Sequence, residues 1–597
     1  VENRVITSAT VEVGDLLVAY LKQLDVEYVF GVPGGAIEPL YNALARSARN
    51  GGPRHVLARN ESGAAFMADG YARATGRLGV CCATTGPGAT HMITGVASAY
   101  ENRIPMLAIT AQTALSNFGH GAFQESSCTG IDTVGMYRHC TRYNTLVSHV
   151  EQFERKLASA ILHAKSSRPG PVHLSIPRDL MASPAPSTIP SFDLSTQRRT
   201  RQISQVDQSV DQVFERIQAA RKAVFVIGHG CRDAIGTILA LAMRINALIV
   251  VTPHGKGLVS PYHPLFRGVF GFAGHATARE ALMEPEVDEI VAIGVTLNEW
   301  ASNGWDDDAL LHGKLIHIDA DEENFTRSPM AGMHILGSVE RIFHYLLERL
   351  GGDRSRHKVF KLAETNPGTP SPAIEREPTR AFRMEREAAR YDDATPIKPQ
   401  RLMRDLARMF PSNARFLVDT GNSTAWAIHY LHPFDRRMAG KRDARSSTVD
   451  GCMEFAAMGW AIGAAIGAAL ADRNKPAVCI TGDGSLLMSG QELTVAVQEE
   501  LPVIFVVLND AALGMVKHGQ RLGGAEAIAY ELPEIDYCAF AKILGADAYS
   551  IHSPADLSAL DFKAMCQRLG PTLLDIHIDR EEVPPIGAHV KNLQDLI

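Results

Sequence analysis

AVCITGDGS (residues 477–485) and PVIFVVLND (residues 502–510) are two short apolar runs, each ending in an acid, with a helix-forming stretch between them. Runs of this length closed by turn residues and separated by one helical stretch read as consecutive parallel strands joined by a crossover helix. In such a sheet both runs finish on the same edge. Asp483 and Asp510 therefore stand at carboxyl ends of strands, the side on which open α/β sheets bind ligands. Two carboxylates completed by a carbonyl and phosphate oxygens suit Mg²⁺, a hard cation often held through a cofactor's phosphates. Gly482 and Gly484 let the backbone come close to those phosphates, and the helix after Gly484 turns its amino terminus toward them. A lone Gly-Asp-Gly is more often a plain turn; the second acid at the end of the next run reverses that preference.

Outward from this stretch the same alternation recurs. Residues 398–597 also contain RFLVDTG, the small-residue stretch AAMGWAIGAAIGAALA and TLLDIHID. The small-residue stretch is too short and too rich in Gly and Ala for a membrane span and reads as a buried helix. Residues 1–185 carry the runs VEYVFGVPGG, GVCCATTGPG, PMLAITAQ and PVHLSIPRDL, and residues 200–350 carry KAVFVIGHG, ALIVVTPHG, EIVAIGV and KLIHIDAD. The expected fold is thus α/β, with three doubly wound parallel-sheet domains. Residues 183–205, rich in Pro, Ser and Thr, read as a linker, and residues 351–397, charged and poor in apolar order, as a second one. FRMEREAARY within the second has helix-forming composition.

Composition narrows the class of function. The chain of 597 residues is 46% hydrophobic, 21% charged and 7% aromatic, the composition of a globular protein. A formal net charge of -7 argues against a general nucleic-acid binder. Nine cysteines without a CxxC or Cys/His spacing point to free thiols in a reducing compartment. The first residues lack the basic stretch and long apolar run of a secretory signal, so the expected location is cytoplasmic, with no membrane partner. No GxGxxG follows the first strand, which counts against a dinucleotide-binding protein.

Glu61 follows the apolar run HVLA and begins a helical pattern, so its carboxyl can point into a pocket; the plain alternative is a helix-start carboxylate favoured by the dipole. Met458 lies in an apolar small-residue stretch where Met is ordinary core filler. Gly421, Asn422 and Ser423 follow the run RFLVDT, where Asn or Ser also serves as a helix cap.

The GDGS stretch followed by Asn509-Asp510 resembles the motif of thiamine-diphosphate enzymes, and the resemblance extends over nearly the whole chain. Phe30-Gly31-Val32-Pro33-Gly34-Gly35, Asn60-Glu61-Ser62 with MADGYARATG, Thr85-Gly86-Pro87-Gly88-Ala89-Thr90, Ala122-Phe123-Gln124-Glu125 and Arg168-Pro169-Gly170-Pro171-Val172 are similar, in order, to the acetolactate synthase series. The resemblance implies a pyrimidine-binding first domain, a central domain and a diphosphate-binding third domain. It further implies that Asp483, Asp510 and the carbonyl of Ala512 hold Mg²⁺, with Asp510 where Asn is common. Val32, Pro33, Gly34, Gly421, Asn422, Ser423, Gly482, Gly484, Ser485, Gly514, Met515 and Val516 would then contact the cofactor. Met458 would be the wedge beneath its two rings. Glu61 would share a proton with the aminopyrimidine, whose imino form takes the proton from the thiazolium carbon.

On the substrate side the resemblance places Gly35, Phe123 and Gln124, the last as a hydrogen-bond donor to a developing alkoxide. Where the family commonly has His before the catalytic Glu, this chain has Asn60. His91 stands where the family usually has Asn, and His120 where it has a small hydroxyl residue; each is either a proton shuttle near neutral pH or structural. The family's Trp that selects a small acceptor aligns with Gly519, in Leu513-Gly514-Met515-Val516-Lys517-His518-Gly519-Gln520. Loss of an indole leaves room for a larger acceptor, unless Gly519 only permits a tight loop with Lys517 or His518 filling the space. VFGFAGH (residues 269–275) resembles the family's flavin domain, but its Arg-bearing FDDR stretch appears here as Thr296-Leu297-Asn298-Glu299-Trp300, which leans against bound FAD.

The activity implied is decarboxylation of a pyruvate-like 2-oxo acid and transfer of the acyl carbanion to a carbonyl acceptor. The nearest alternative is a simple decarboxylase releasing an aldehyde. The implied assembly is a homodimer or homotetramer with active sites between subunits.

Overall fold

The structure is a computed structural model and describes residues 11–195, 208–351, 380–433 and 448–594. Its eighteen strands form three six-stranded sheets, and every pairing between strands is parallel. The first sheet contains β1 (Tyr28–Gly31), β2 (Arg54–Leu57), β3 (Gly79–Ala83), β4 (Met106–Gln112), β5 (Tyr143–Leu146) and β6 (Pro171–Pro177). The second contains β7 (Ala223–Ile227), β8 (Leu248–Val251), β9 (Phe266–Val269), β10 (Glu289–Ile293), β11 (Leu315–Asp319) and β12 (Met333–Leu336). The third contains β13 (Arg415–Val418), β14 (Val449–Gly451), β15 (Ala477–Gly482), β16 (Val503–Asn509), β17 (Asp547–Ile551) and β18 (Thr572–His577).

The first sheet runs β2-β1-β3-β4-β6-β5 and the third runs β14-β13-β15-β16-β18-β17, so the two share one topology. In each, the chain reverses its direction of winding between the first and third strands of that sheet. The crevice beyond the carboxyl ends of those two strands is where such sheets take ligands. The central sheet has a different order, β12-β11-β10-β7-β8-β9.

The expected strands are all present; apart from the edge strand β2, in which only Val56 is buried, they are buried on both faces and read as unbroken apolar runs. Five strands fall outside the apolar runs: β5, β9, β12, β14 and β17. All five are sheet edges. β5, whose four residues are all half-buried, β12 and β17 carry exposed or half-buried positions, so their composition does not stand out from that of a loop, whereas β9 and β14 are largely buried but only four and three residues long.

Contacts divide the chain into two compact units. The first comprises the described residues of Val1–Arg201 with Glu454–Asp472 and Gln491–Glu499; the second comprises those of Gln202–Met453 with Arg473–Gly490 and Glu500–Ile597. In the first unit Leu17, Val29, Val80, Leu107 and Val172 belong to one apolar core. In the second, Phe225, Ile249, Phe416, Ile480 and Val506 belong to another that runs through both of its sheets.

The small-residue stretch forms the buried helix Trp460–Ala471, which begins two residues after Met458 rather than including it. It lies against the helix Glu61–Thr75 with backbone nearly touching backbone. A Cβ on Gly70 would fall 2.1 Å from the Ala464 carbonyl oxygen, and one on Gly467 would fall 1.9 Å from that of Met67. Close approach of this kind, not lipid, accounts for the run of Gly and Ala. Among the described residues no helix is long and apolar enough to cross a membrane.

Of the two connectors, residues 196–205 and 352–379 lie outside the described residues. Residues 380–397 are largely irregular, and FRMEREAARY contributes one 3₁₀ turn, Glu387–Tyr391. All nine cysteines are free thiols.

Candidate active site

In the second unit, the carboxyl ends of β13, β15 and β16 carry the predicted metal and diphosphate residues. Asp419 closes β13: its Oδ2 accepts from Thr481 Oγ1 at 2.8 Å, and its carbonyl accepts from Ser423 Oγ and Thr424 Oγ1, each at 2.7 Å. These bonds shape a turn in which Gly421 has φ +122°, a conformation favouring Gly. Gly421 itself is the amino cap of the helix Asn422–Tyr430, with no side-chain cap bond. The capping alternative for Asn422 and Ser423 is thereby removed. Ser423 bonds backward to Asp419, and Asn422 is left with a buried Oδ1 that has no hydrogen-bond partner.

Asp483 is the first residue of the helix Asp483–Ser489. Its Oδ1 accepts from the Gly484 N–H at 2.7 Å, while Oδ2 is buried without a partner, as is Ser485 Oγ. Gly482 has nothing within 4 Å of where a Cβ would stand, so this edge is open. Asp510 follows β16 directly, and a Cβ on Gly514 would lie 2.6 Å from both Asp510 Oδ2 and Asn422 Nδ2. Asn422, Asp510 and Gly514 thus converge. Burial pushes the Asp483 carboxyl up to about 6, against the pull of nearby backbone N–H groups. Burial and the Asp483 charge push Asp510 up to about 7, with Lys517 and Arg580 opposing. Buried Asp483 and half-buried Asp510, within Coulombic reach of each other and beside partnerless oxygens, make a donor set that suits a hard cation. Among the described residues no three His, Cys, Asp or Glu side chains gather as a metal cage. A cation here would draw its remaining oxygens from backbone, such as the carbonyl of buried Ala512, and from a ligand.

Met515 is half-buried and packs on the core, whereas Val516 is exposed. Both lie in the helix Gly514–Gly523, and so does Gly519, which is exposed with open space at its Cβ position. Gly519 is therefore not there to permit a tight loop. His518 is the buried neighbour, and Lys517 donates to the Arg580 carbonyl at 3.1 Å and pairs with Glu581 at 2.6 Å.

In the first unit, Asn60 caps the helix Glu61–Thr75 through a 2.8 Å bond from the Ser62 N–H to its Oδ1, and Glu61 is the first helical residue, 8% exposed. The short turn Thr84–Gly86 after β3 and the start of the helix Pro87–Glu101 lie beside it. A Cβ on Gly88 would stand 3.0 Å from Glu61 Oε1, and one on Gly34 would stand 2.7 Å from the Thr84 side chain. In the turn after β1, Val32 and Gly34 are half-buried, and Pro33 and Gly35 are exposed. Gln124 has φ +57° and lies against Gly86, its carbonyl accepting from Thr85 Oγ1 at 2.9 Å. Phe123, beside it, is 87% exposed.

The two histidines separate. His91 Nδ1 lies 3.3 Å from Glu61 Oε2. His120 is exposed in a turn between Gly119 and Gly121, and no bond joins it to Glu61 among the described residues. Met458 is half-buried, next to Gly459, which caps Trp460–Ala471.

One residue of this site was not singled out by the sequence reading. Glu492 is 1% exposed, and its carboxylate accepts from the Asn60 N–H at 2.9 Å and from the Arg59 N–H at 3.2 and 3.1 Å. Burial pushes it up to about 7, with the Glu61 charge adding to the rise. A Glu at the end of the polar stretch Ser489-Gly490-Gln491-Glu492 carries no local mark of burial.

Three family models match the chain. The thiamine pyrophosphate enzyme N-terminal TPP binding domain matches residues 11–134, the central domain residues 210–346 and the C-terminal TPP binding domain residues 419–576. The chain is similar over nearly its full length to the acetolactate synthase isozyme 1 large subunit of Escherichia coli (strain K12), 29% identical over 97% of this chain and 96% of the relative. It is 31% identical to an acetolactate synthase of Arthrospira platensis, covering 95% of this chain and 94% of the relative. It is also 31% identical to the isozyme 2 large subunit of Escherichia coli (strain K12), covering 96% and 98%.

Proposed function

The chain belongs to the acetolactate synthase family of thiamine pyrophosphate enzymes, and from that premise we propose that it decarboxylates a pyruvate-like 2-oxo acid and joins the acyl unit to a carbonyl acceptor. Thiamine diphosphate, when bound, supplies the electron sink for loss of CO₂. The observation that carries the assignment onto this chain is the convergence of Asp510 Oδ2 and Asn422 Nδ2 over Gly514, beside the partnerless Asp483 Oδ2. Asp483, Asp510 and the Ala512 carbonyl hold Mg²⁺ in this proposal, and Asn422 with the Gly482–Ser485 edge holds the diphosphate. Glu61, buried beside the start of the helix Pro87–Glu101, keeps or gives up a proton at its carboxyl oxygens toward the aminopyrimidine. Gln124 and Phe123 face the substrate.

The same proposal assigns residues 1–185 to pyrimidine binding, 200–350 to a central domain and 398–597 to diphosphate binding. It takes the enzyme to be a cytoplasmic homodimer or homotetramer with sites formed between subunits. Carboligation has no net redox change and requires no flavin, although the central sheet's order, shared with dinucleotide-binding sheets, is compatible with many ligands.

The test incubates the enzyme with thiamine diphosphate, Mg²⁺ and pyruvate, with and without a second 2-oxo acid or an aldehyde, and resolves products chirally. Carboligation products are expected; free aldehyde alone, whatever acceptor is present, would replace the proposal with simple decarboxylation. Glu61→Gln is expected to lower turnover by about 10²- to 10⁴-fold in a folded, cofactor-loaded protein. Wild-type turnover by that variant would remove Glu61 from the chemistry.

A further inference from the structure

Two helices of the first unit bring an imidazole to the buried carboxyl. The helix Pro87–Glu101 crosses the helix Glu61–Thr75 at very short range: a Cβ on Gly95 would fall 2.4 Å from Ala65 Cβ and 3.2 Å from the Ser62 carbonyl oxygen. One turn earlier on the same face, Ser62 Oγ donates to the His91 carbonyl at 2.5 Å. Spacing of four residues puts His91 and Gly95 on one side of their helix, so the glycine that permits the crossing also sets the histidine against Glu61. The result is the 3.3 Å approach of His91 Nδ1 to Glu61 Oε2.

The two side chains differ sharply in access to water. The Glu61 side chain is 11% exposed and that of His91 is 59% exposed. Among the described residues, Tyr41, Tyr137 and Glu492 also feel the Glu61 charge. Burial raises all three, and Glu492 is fully enclosed. Among these groups His91 is the one that touches both the carboxyl and solvent.

We propose that His91 exchanges protons between Glu61 and solvent, acting through Glu61 and not on substrate. In one direction the Glu61 Oε2–H bond breaks, Nδ1–H forms, and the Nε2 proton leaves to water or buffer. In the other, Nε2 takes a proton from solvent while Nδ1–H returns to the carboxylate. Each passage moves one proton and needs no further reactant. The inference rests on the proposed role of Glu61. It also gives this chain an imidazole at the carboxyl from the second helix, where Asn60 supplies none from the first.

Two measurements test it. In the apoprotein carrying ¹⁵N-labelled histidine, the ring-nitrogen signals of His91 are compared by NMR in the wild type and in Glu61→Gln; loss of the carboxylate facing Nδ1 is expected to shift the Nδ1 signal. Identical His91 ring-nitrogen signals in the two proteins would overturn the pairing, whether or not the wild type is active. In the loaded enzyme, His91→Ala is expected to lose about ten- to a hundredfold in turnover. Added imidazole, and substituted imidazoles in order of basicity, are expected to restore much of it. A folded His91→Ala enzyme at wild-type turnover, or one that no imidazole rescues, would overturn proton exchange while leaving the carboligase assignment in place. An inactive wild type would instead count against that assignment.

Discussion

Asn509 donates its side-chain N–H to Asp575 Oδ1 at 2.9 Å, across the neighbouring strands β16 and β18, with both residues buried. The other end of the same amide, Asn509 Oδ1, faces the Ala511 N–H at 3.4 Å, and Ala511 sits at φ +49°. An Asp on one strand thus orients the amide that underlies the turn Asp510–Ala512, which carries two of the three proposed metal ligands.

Replacing Asp575 by Ala should therefore weaken cofactor binding without touching a ligand. A hydrogen bond to a charged group contributes about 1.5 to 3 kcal/mol, so the apoprotein's affinity for Mg²⁺ with thiamine diphosphate should fall roughly tenfold or more. Asp575→Asn, which keeps an acceptor oxygen, should lose less. Calorimetric titration checks both, and equal affinities for wild type and Asp575→Ala would show that the turn holds itself.

Glu492 makes a pH-dependent contribution to stability. Its carboxyl is raised by burial from 4.5 to about 7. For a raised group, stability is fully present below the unfolded value and is lost as pH climbs through the folded one. Glu492→Gln removes that loss, so its stability relative to wild type should improve by about 2 to 3 kcal/mol between pH 5 and pH 8. Denaturant unfolding of the apoprotein at the two pH values measures this; a difference independent of pH would mean that Glu492 does not take up a proton on folding.

If the site forms between subunits, Glu61 and Asp483 of one site come from different chains. Mixing inactive Glu61→Ala and Asp483→Ala proteins, with subunit exchange, should then restore part of the activity, because one site of the mixed dimer has both residues. A fully active monomer on light scattering would contradict the arrangement.

Gly519 stands exposed on a helix with open space at its Cβ position, so Gly519→Trp should fold. The added indole should narrow the range of acceptors toward small ones. Discrimination per methylene is about 1 to 3 kcal/mol, so the wild type should show a broadened range rather than a single preferred acceptor. Identical acceptor profiles for the two proteins would place the position away from the acceptor.

Sequence alone determined the features that local chemistry writes in consecutive residues. A strand buried on both faces must be an apolar run, and a ligand-binding turn must follow it with Gly and acid, so the central strands of all three sheets, Asp483, Asp510 and the start of a helix at Glu61 were legible. Only the tertiary structure decided what meets across the fold. Edge strands such as β5 and β17 are half-exposed and resemble loops in composition. Glu492 reaches the Arg59 and Asn60 backbone from more than four hundred residues away in sequence, and His91 meets Glu61 while His120 does not, because of where two helices cross at Gly95. Periodicity follows from the backbone's own repeat and is local; which side chains end within hydrogen-bond reach depends on packing distances between elements, and those exist only once the chain has folded.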